Sequence, residues 1–465
     1  RTEIPIGTSS LKAFQKGVEG DGGAKIYRMQ DLLKHIMIRR TRKYVLDTYG
    51  IKDKKTNRLY ILGKENEKIF FPDRELENAE YKIQKVYNNK FDEITDYLRS
   101  GKHPGTLTLA RFGLGAYVKE EKLDSNQKYQ KLYNNGRALR GLIRILLLKR
   151  MESSIAAFKA TIHKMKLGNQ IFLKIIEETG KIPIGEFAQK LLYDAVDDYD
   201  FNDVYQIQTG KTLDENVNSA IGEIEKQKDS YYDINDFNSD KLKQDLHNDI
   251  EIFGAIDKLV NEPNIEANDN KFDQLVKLIN DLKKGHSKEK ILIFSEYADT
   301  VEYLYKRLQI EFPKFDKETG VVYSEKASKK DQNKIICQFA PIANEVLSRS
   351  MFGIEGSKKL EPINLLVSTD VISEGTDMQD AGIVICYDFH WNLSRIIQRA
   401  GRIDRIGQER EIIKLINFLP DPKLDVKLRL AEKVRANIEI WQKVIGDDAP
   451  VLEPTEQADP ENGNR

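Results

Sequence analysis

Gly382-Ile383-Val384-Ile385-Cys386-Tyr387-Asp388 is an unbroken apolar run, entered through a glycine and left through a carboxylate. No polar side chain alternates with the apolar ones, so a strand here is buried on both faces. That is the condition of a parallel sheet covered by helices on each side. Four further runs of strand length accompany it: Ile291–Ser295, Val321–Ser324, Asn364–Thr369 and Ile412–Phe418. The segments between them have helical spacing, as in Val301, Leu304 and Leu308. Strand and helix in alternation predict an α/β lobe over residues 271–446.

Upstream the pattern is different. Residues 1–25 are weakly patterned, and Ile26–Leu46 has helical spacing with a basic cluster, Arg39-Arg40-Thr41-Arg42-Lys43. Leu59–Leu62 and Ile69–Phe71 flank a polar stretch, which predicts a β-hairpin. Pro72-Asp73 is expected to stop the second strand and open a helix. From Arg74 to Lys166 the spacing is helical, with breaks at Gly101–Gly105 and Gly136. Its last part, Ala138–Lys166, carries Arg140, Arg144, Lys149, Arg150, Lys159, Lys164 and Lys166 against one acid, Glu152. Residues 194–270 turn to Asp, Asn and Glu with little periodicity. The chain therefore divides into 1–73, a helical insertion over 74–193, an acidic linker or irregular insertion over 194–270, the α/β lobe over 271–446 and a disordered tail over 447–465.

Lysine plus arginine equal aspartate plus glutamate at 74 each, so no global field favours a polyanion and any nucleic-acid contact must be local. Two cysteines, Cys337 and Cys386, exclude a disulfide scaffold or a cysteine-rich zinc site. They fit core positions in a cytoplasmic protein. No apolar run approaches the ~20 residues that span a bilayer, so no membrane partner is expected. The chain opens at Arg1 without methionine, which points to a longer parent.

In open parallel sheets, ligands lie beyond the carboxyl ends of the strands. Four of the runs end in polar residues there, at Ser295-Glu296, Ser324, Ser368-Thr369-Asp370 and Asp388. Helix capping alone could account for each of these. Residues 398–408, Q-R-A-G-R-I-D-R-I-G-Q, say more. Gln398, Arg402 and Arg405 stand at i, i+4 and i+7, which on a helix is one face, whereas Arg399 points elsewhere. Planar guanidiniums suit the charge that develops on a transferring phosphoryl group.

That string resembles motif VI of superfamily 2 helicases, and its I-G-Q ending resembles the SWI/SNF-like and RapA-like translocases. S-T-D-V-I-S-E-G-T-D-M (368–378) is similar to motif V and K-I-L-I-F-S-E-Y-A-D-T (290–300) to motif IV. Y-D-F-H-W-N (387–392), I-R-R-T-R (38–42) and L-L-L-K-R-M-E-S-S (146–154) also have counterparts in that family. The resemblance implies a RecA-like C-terminal lobe, with residues 1–73 closing a first lobe. It implies that Arg402 and Arg405 contact the γ-phosphate of ATP and that Gln398 couples hydrolysis to lobe closure. Gly375 and Asp377 would lie near the nucleotide, with Ser368 and Thr369 on the nucleic-acid backbone. Arg39, Arg40, Lys149 and Arg150 would add to the nucleic-acid surface.

A complete motor also needs a G-x-x-x-x-G-K-[ST] phosphate loop and an acidic magnesium motif. Neither occurs here: Gly210-Lys211-Thr212 has Tyr205 where the loop needs glycine. ATP and Mg would then be held mainly by a first lobe outside this chain, and no metal site is expected within it. The partner implied is nucleic acid, double-stranded DNA in the translocase reading. A non-catalytic module docking RNA polymerase or another complex subunit is the alternative.

Overall fold

The computed structural model describes residues 42–428, apart from 64–65, 100–104, 126, 185–211, 227–230, 264, 286–288, 314–318, 323–327, 354–359, 374–375, 391–392 and 406–407. Asp73–Ala79, Ile291–Phe294, Thr319–Val322, Leu365–Ser368, Ile383–Cys386 and Ile412–Phe418 are β1 to β6 of one sheet. Their order is β1-β6-β5-β2-β4-β3, and every neighbouring pair is parallel. β2, β4 and β5 are buried at all four positions each, as unalternated apolar sequence requires.

Successive side chains leave opposite faces of a strand. Accordingly Ile291, Ile293, Leu365, Val367, Ile383 and Ile385 enter one hydrophobic core. Leu292, Phe294, Leu366, Val384 and Cys386 enter the other. The first core continues into the helical region through Ile143, Leu147, Met151, Ile155 and Phe158. These residues belong to Gln127–Ser153 (α1) and Ile155–Thr179 (α2), so the helices preceding the lobe in sequence are packed on its sheet. Ser154 separates the two helices in extended conformation and caps α2 by accepting from Ala157 N at 3.1 Å. α2 stops at Gly180, whose φ of 66° is the left-handed conformation that glycine takes at little cost.

The expected hairpin forms, with Tyr60 opposite Phe70, and a third strand, Ile51–Lys52, adds to it. The helix expected to open at Pro72-Asp73 does not. Asp73–Ala79 is instead β1, the sheet edge beside β6. Only Leu76 and Ala79 are apolar in D-R-E-L-E-N-A, because an edge strand can keep charge along its half-buried length.

The stretch expected to be irregular holds a 22-residue helix, Ser239–Val260 (α3). Leu242, Leu246, Asp249, Phe253, Ile256 and Val260 form its buried stripe. Asp249 belongs in that stripe because it accepts the N–H groups of Thr108 and Ala110. Thr212 of the G-K-T triplet forms a reciprocal cap with Glu215 at the start of helix Leu213–Lys226. Residues 1–25, the acidic run 194–203 and the tail 447–465 lie outside the described residues. Cys337 and Cys386 are buried and unpaired, and burial pushes the Cys386 thiol up to about 11. No helix among the described residues is long and apolar enough to cross a membrane.

Candidate functional site

Leu393–Ala400 (α6) is shorter than the motif spacing suggests. Its hydrogen bonds tighten beyond Ala400, with Arg402 N donating to Arg399 O at 3.2 Å and Ile403 N to Ala400 O at 3.2 Å. The single helical face expected for Gln398, Arg402 and Arg405 therefore does not form. Gln398 is exposed on the last turn of α6, while Arg402 follows in a turn and is buried. Arg405 lies in the bend beyond, its side chain 41% exposed.

Motif V is where the two arginines meet. Arg402 donates Nη1 to Thr376 O at 3.4 Å, and its own carbonyl accepts from Met378 N at 3.0 Å. Arg405 pairs with Asp377. Two guanidiniums thus seat on adjacent residues of the segment that follows β4. Ser368 is fully buried and donates its hydroxyl to Val322 O and Thr369 O, both at 2.8 Å. Thr369 is also buried, so neither is displayed to a nucleic-acid backbone in this conformation. Gly375, Arg39, Arg40, Trp391 and Asn392 lie outside the described residues.

The remaining polar residues of the string hold the segment in place. Arg399 has no exposed side-chain surface and grips Asp370 at 2.7 and 2.9 Å. Burial alone would lower its pKa, but Asp370 and Asp388 hold it well above the ordinary arginine value. Asp404 is clamped by Arg42 and Arg74. Gln408 is buried, donating to Ala381 O at 3.0 Å and Ile403 O at 2.9 Å.

Asp388, at the carboxyl end of β5, is a hub that motif reading missed. It accepts from Ser153 Oγ at 2.8 Å, Ser295 Oγ at 2.5 Å and Glu296 N at 2.8 Å. Arg399 Nη1 is 3.7 Å from its Oδ1. The α1–α2 junction is thereby pinned to the strand ends. Around it Lys149 pairs with Glu296 at 2.7 Å and Arg150 with Asp299 at 3.0 Å, and both bases are buried. The solvent-facing role expected of Lys149 and Arg150 is corrected accordingly: desolvated charges need partners, and here the partners are carboxylates of the chain itself. An apolar strand end followed by Ser or Asp was the available signal for the hub.

Glu152 is buried beside Lys271 at 3.0 Å, and burial pushes its carboxyl up to about 7 against the pull of that lysine. The folded chain thus holds a proton that the unfolded chain releases near 4.5, so this group's stabilising contribution declines as pH rises from about 4.5 to about 7. Glu152→Gln cannot titrate. Its urea-unfolding free energy, compared at about pH 5 and about pH 7, is expected to lose that part of the decline. An unchanged pH slope would refute the assignment.

Arg405 presents a half-exposed guanidinium, while Arg402 is buried on the Thr376 carbonyl; a planar donor set of the kind Arg405 offers fits the terminal phosphate of a nucleotide. Among the described residues no group of three or more His, Cys, Asp or Glu converges as a metal site. Asp377, the acid nearest the arginines, is engaged by Arg405. The described residues thus fit the phosphate end of ATP and not its metal.

The family model for the helicase conserved C-terminal domain matches residues 270–407. A Schizosaccharomyces pombe protein named as an ATP-dependent DNA helicase, fml2, is 25% identical over 201 residues, covering 41% of this chain and 23% of that protein. Human DDX55, named as an ATP-dependent RNA helicase, is 30% identical over 139 residues, covering 30% of this chain and 19% of that protein. The chain spans about a quarter or less of the length of these relatives. Among solved structures, the C-terminal part of the Fun30 ATPase domain aligns over 82% of this chain and 95% of its own, at 13% identity and a TM-score of 0.36. Motif IV takes in β2, motif V begins at the last residue of β4 and motif VI begins in α6, in that order and, but for Gln408, within the segment the family model matches. Over residues 270–407 the chain is thus similar to the conserved C-terminal domain of helicases.

Proposed function

We propose that this lobe supplies Arg402 and Arg405 to the terminal phosphate of ATP bound, with Mg, by a first motor lobe, in a SWI/SNF-like translocase of double-stranded DNA. The observation that carries the reading is the docking of both arginines on Thr376 and Asp377 of motif V. Such a pair neutralises charge on the transferring phosphoryl group, which is where most of the catalysis of this reaction arises. Magnesium would shield the phosphates and is assigned to the first lobe. In this reading Gln398, which is exposed, senses closure of the two lobes.

The preference for DNA rests on the I-G-Q ending, since relatives named for DNA and for RNA both match. ATP hydrolysis by a protein carrying both lobes tests it. Duplex DNA is expected to stimulate turnover more than RNA does. Equal stimulation or stimulation by RNA alone would overturn the DNA reading. No stimulation by either would overturn the motor and leave the docking module.

A further inference from the structure

The basic stretch 138–166 separates into two populations. Lys149, Arg150, Lys159 and Lys166 are each taken up by a carboxylate of another segment: Glu296, Asp299, Glu266 and Asp257. Among the described residues Arg140, Arg144 and Lys164 are not, and one turn before the two arginines in α1 stands the exposed Arg137. At i, i+3 and i+7 these three guanidiniums share one side of the helix. Tyr133, 53% exposed, extends the strip by one more turn.

Counter-ions are missing along this strip. Among the described residues no carboxylate pairs with Arg137 or Arg140. Arg144 donates Nη2 to Leu107 O at 2.8 Å, and the acid that acts on it, Asp249, is already occupied by Thr108 and Ala110. Burial and the adjacent Arg140 both lower the Arg144 pKa, and the pull of Asp249 does not offset them. The one acid of α1, Glu152, is buried at the far end against Lys271.

The backbone between the arginines is open as well. Gly141 is exposed, and a Cβ built there would meet nothing within 4 Å. From Arg137 to Arg144 the helix rises about 10 Å, and along one strand of a duplex successive phosphates are about 3.4 Å apart on the axis. The strip therefore has the length of a few consecutive phosphates.

We infer that Arg137, Arg140 and Arg144 bind the phosphodiester backbone of the nucleic acid on which the lobe works, an inference that rests on the helicase reading above. Guanidiniums grip phosphate oxygens through paired donors, and such contacts position the protein without reading sequence. The helical region thus tracks the duplex through the free part of α1. Its buried end, Lys149 and Arg150, serves the lobe.

The test uses the full protein with duplex DNA and duplex RNA of no defined sequence, each titrated over a range of salt. In Arg137→Ala/Arg140→Ala, the slope of log affinity against log salt is expected to fall by about 2, about one for each phosphate that is no longer neutralised, whatever the base sequence. Turnover at saturating nucleic acid should stay at the wild-type value while the half-stimulating concentration rises. Arg137→Glu, at the most exposed of the three, is the second variant and should lower the slope by about 1 or more even if the double variant fails to fold. Weakening on both duplexes assigns the strip to the shared backbone, and weakening on one assigns it to that duplex. An unchanged slope for both variants, in a protein whose wild type binds and is stimulated, overturns this inference alone. A wild type that binds neither duplex overturns the helicase reading beneath it.

Discussion

Arg405→Ala is expected to lower nucleic-acid-stimulated ATP hydrolysis by about 10³-fold or more, the scale on which arginine fingers act. In free energy that is about 4 kcal/mol at the transition state. The fold should barely notice the change, because the side chain is 41% exposed and its ion pair with Asp377 is of the solvent-accessible kind, worth about 0–1 kcal/mol. Nucleic-acid affinity should hold to within a few-fold. Arg402→Ala should move turnover in the same direction, but Arg402 is buried against motif V, so its variant also loses packing. Arg405 is the cleaner measurement.

Asp377→Asn completes the comparison by removing the anion that competes with phosphate for Arg405. If the guanidinium acts on ATP, this variant keeps most of its turnover. A collapse equal to that of Arg405→Ala would mean that the ion pair itself is what matters. Wild-type turnover in Arg405→Ala, in a protein carrying both lobes and with saturating duplex DNA, would sink the finger assignment.

Asp388→Ala is expected to cost about 3–5 kcal/mol of unfolding free energy, well beyond the ~1 kcal/mol of an average substitution. It strips the acceptor from the Ser153 and Ser295 hydroxyls and from Glu296 N, and takes one of two carboxylates from fully buried Arg399. Each of those donors is then left in a site that water does not reach. Asp388→Asn keeps the shape and one acceptor oxygen, so it should recover part of the loss. Urea unfolding of this chain measures both. A cost under about 1 kcal/mol for the alanine variant would show that the strand-end network holds nothing together.

How much of this was legible beforehand follows from where each stabilising partner lies. The runs that became β2, β4 and β5 announced themselves, because a strand covered on both faces is apolar almost throughout. Motif VI was equally legible as residue types, yet not as a shape: α6 ends at Ala400, and Arg402 and Arg405 are placed by contacts with motif V. β1 stayed hidden because an edge strand can keep its charges, here Arg74 with Asp404 and Glu75 with Lys414. α3 was obscured by the acids on its outer face and by Asp249 within its buried stripe.

By itself the sequence determined the α/β lobe, since that follows from local periodicity, and carried the helicase resemblance in the residue types of its motifs. Only the tertiary structure decided which charges face water. Lys149 and Arg150 find Glu296 and Asp299, 147 and 149 positions along the chain, and are buried, while among the described residues Arg137, Arg140 and Arg144 find no such carboxylate. A cation's role depends on whether an anion folds back to meet it, and spacing within one helix carries no information about that.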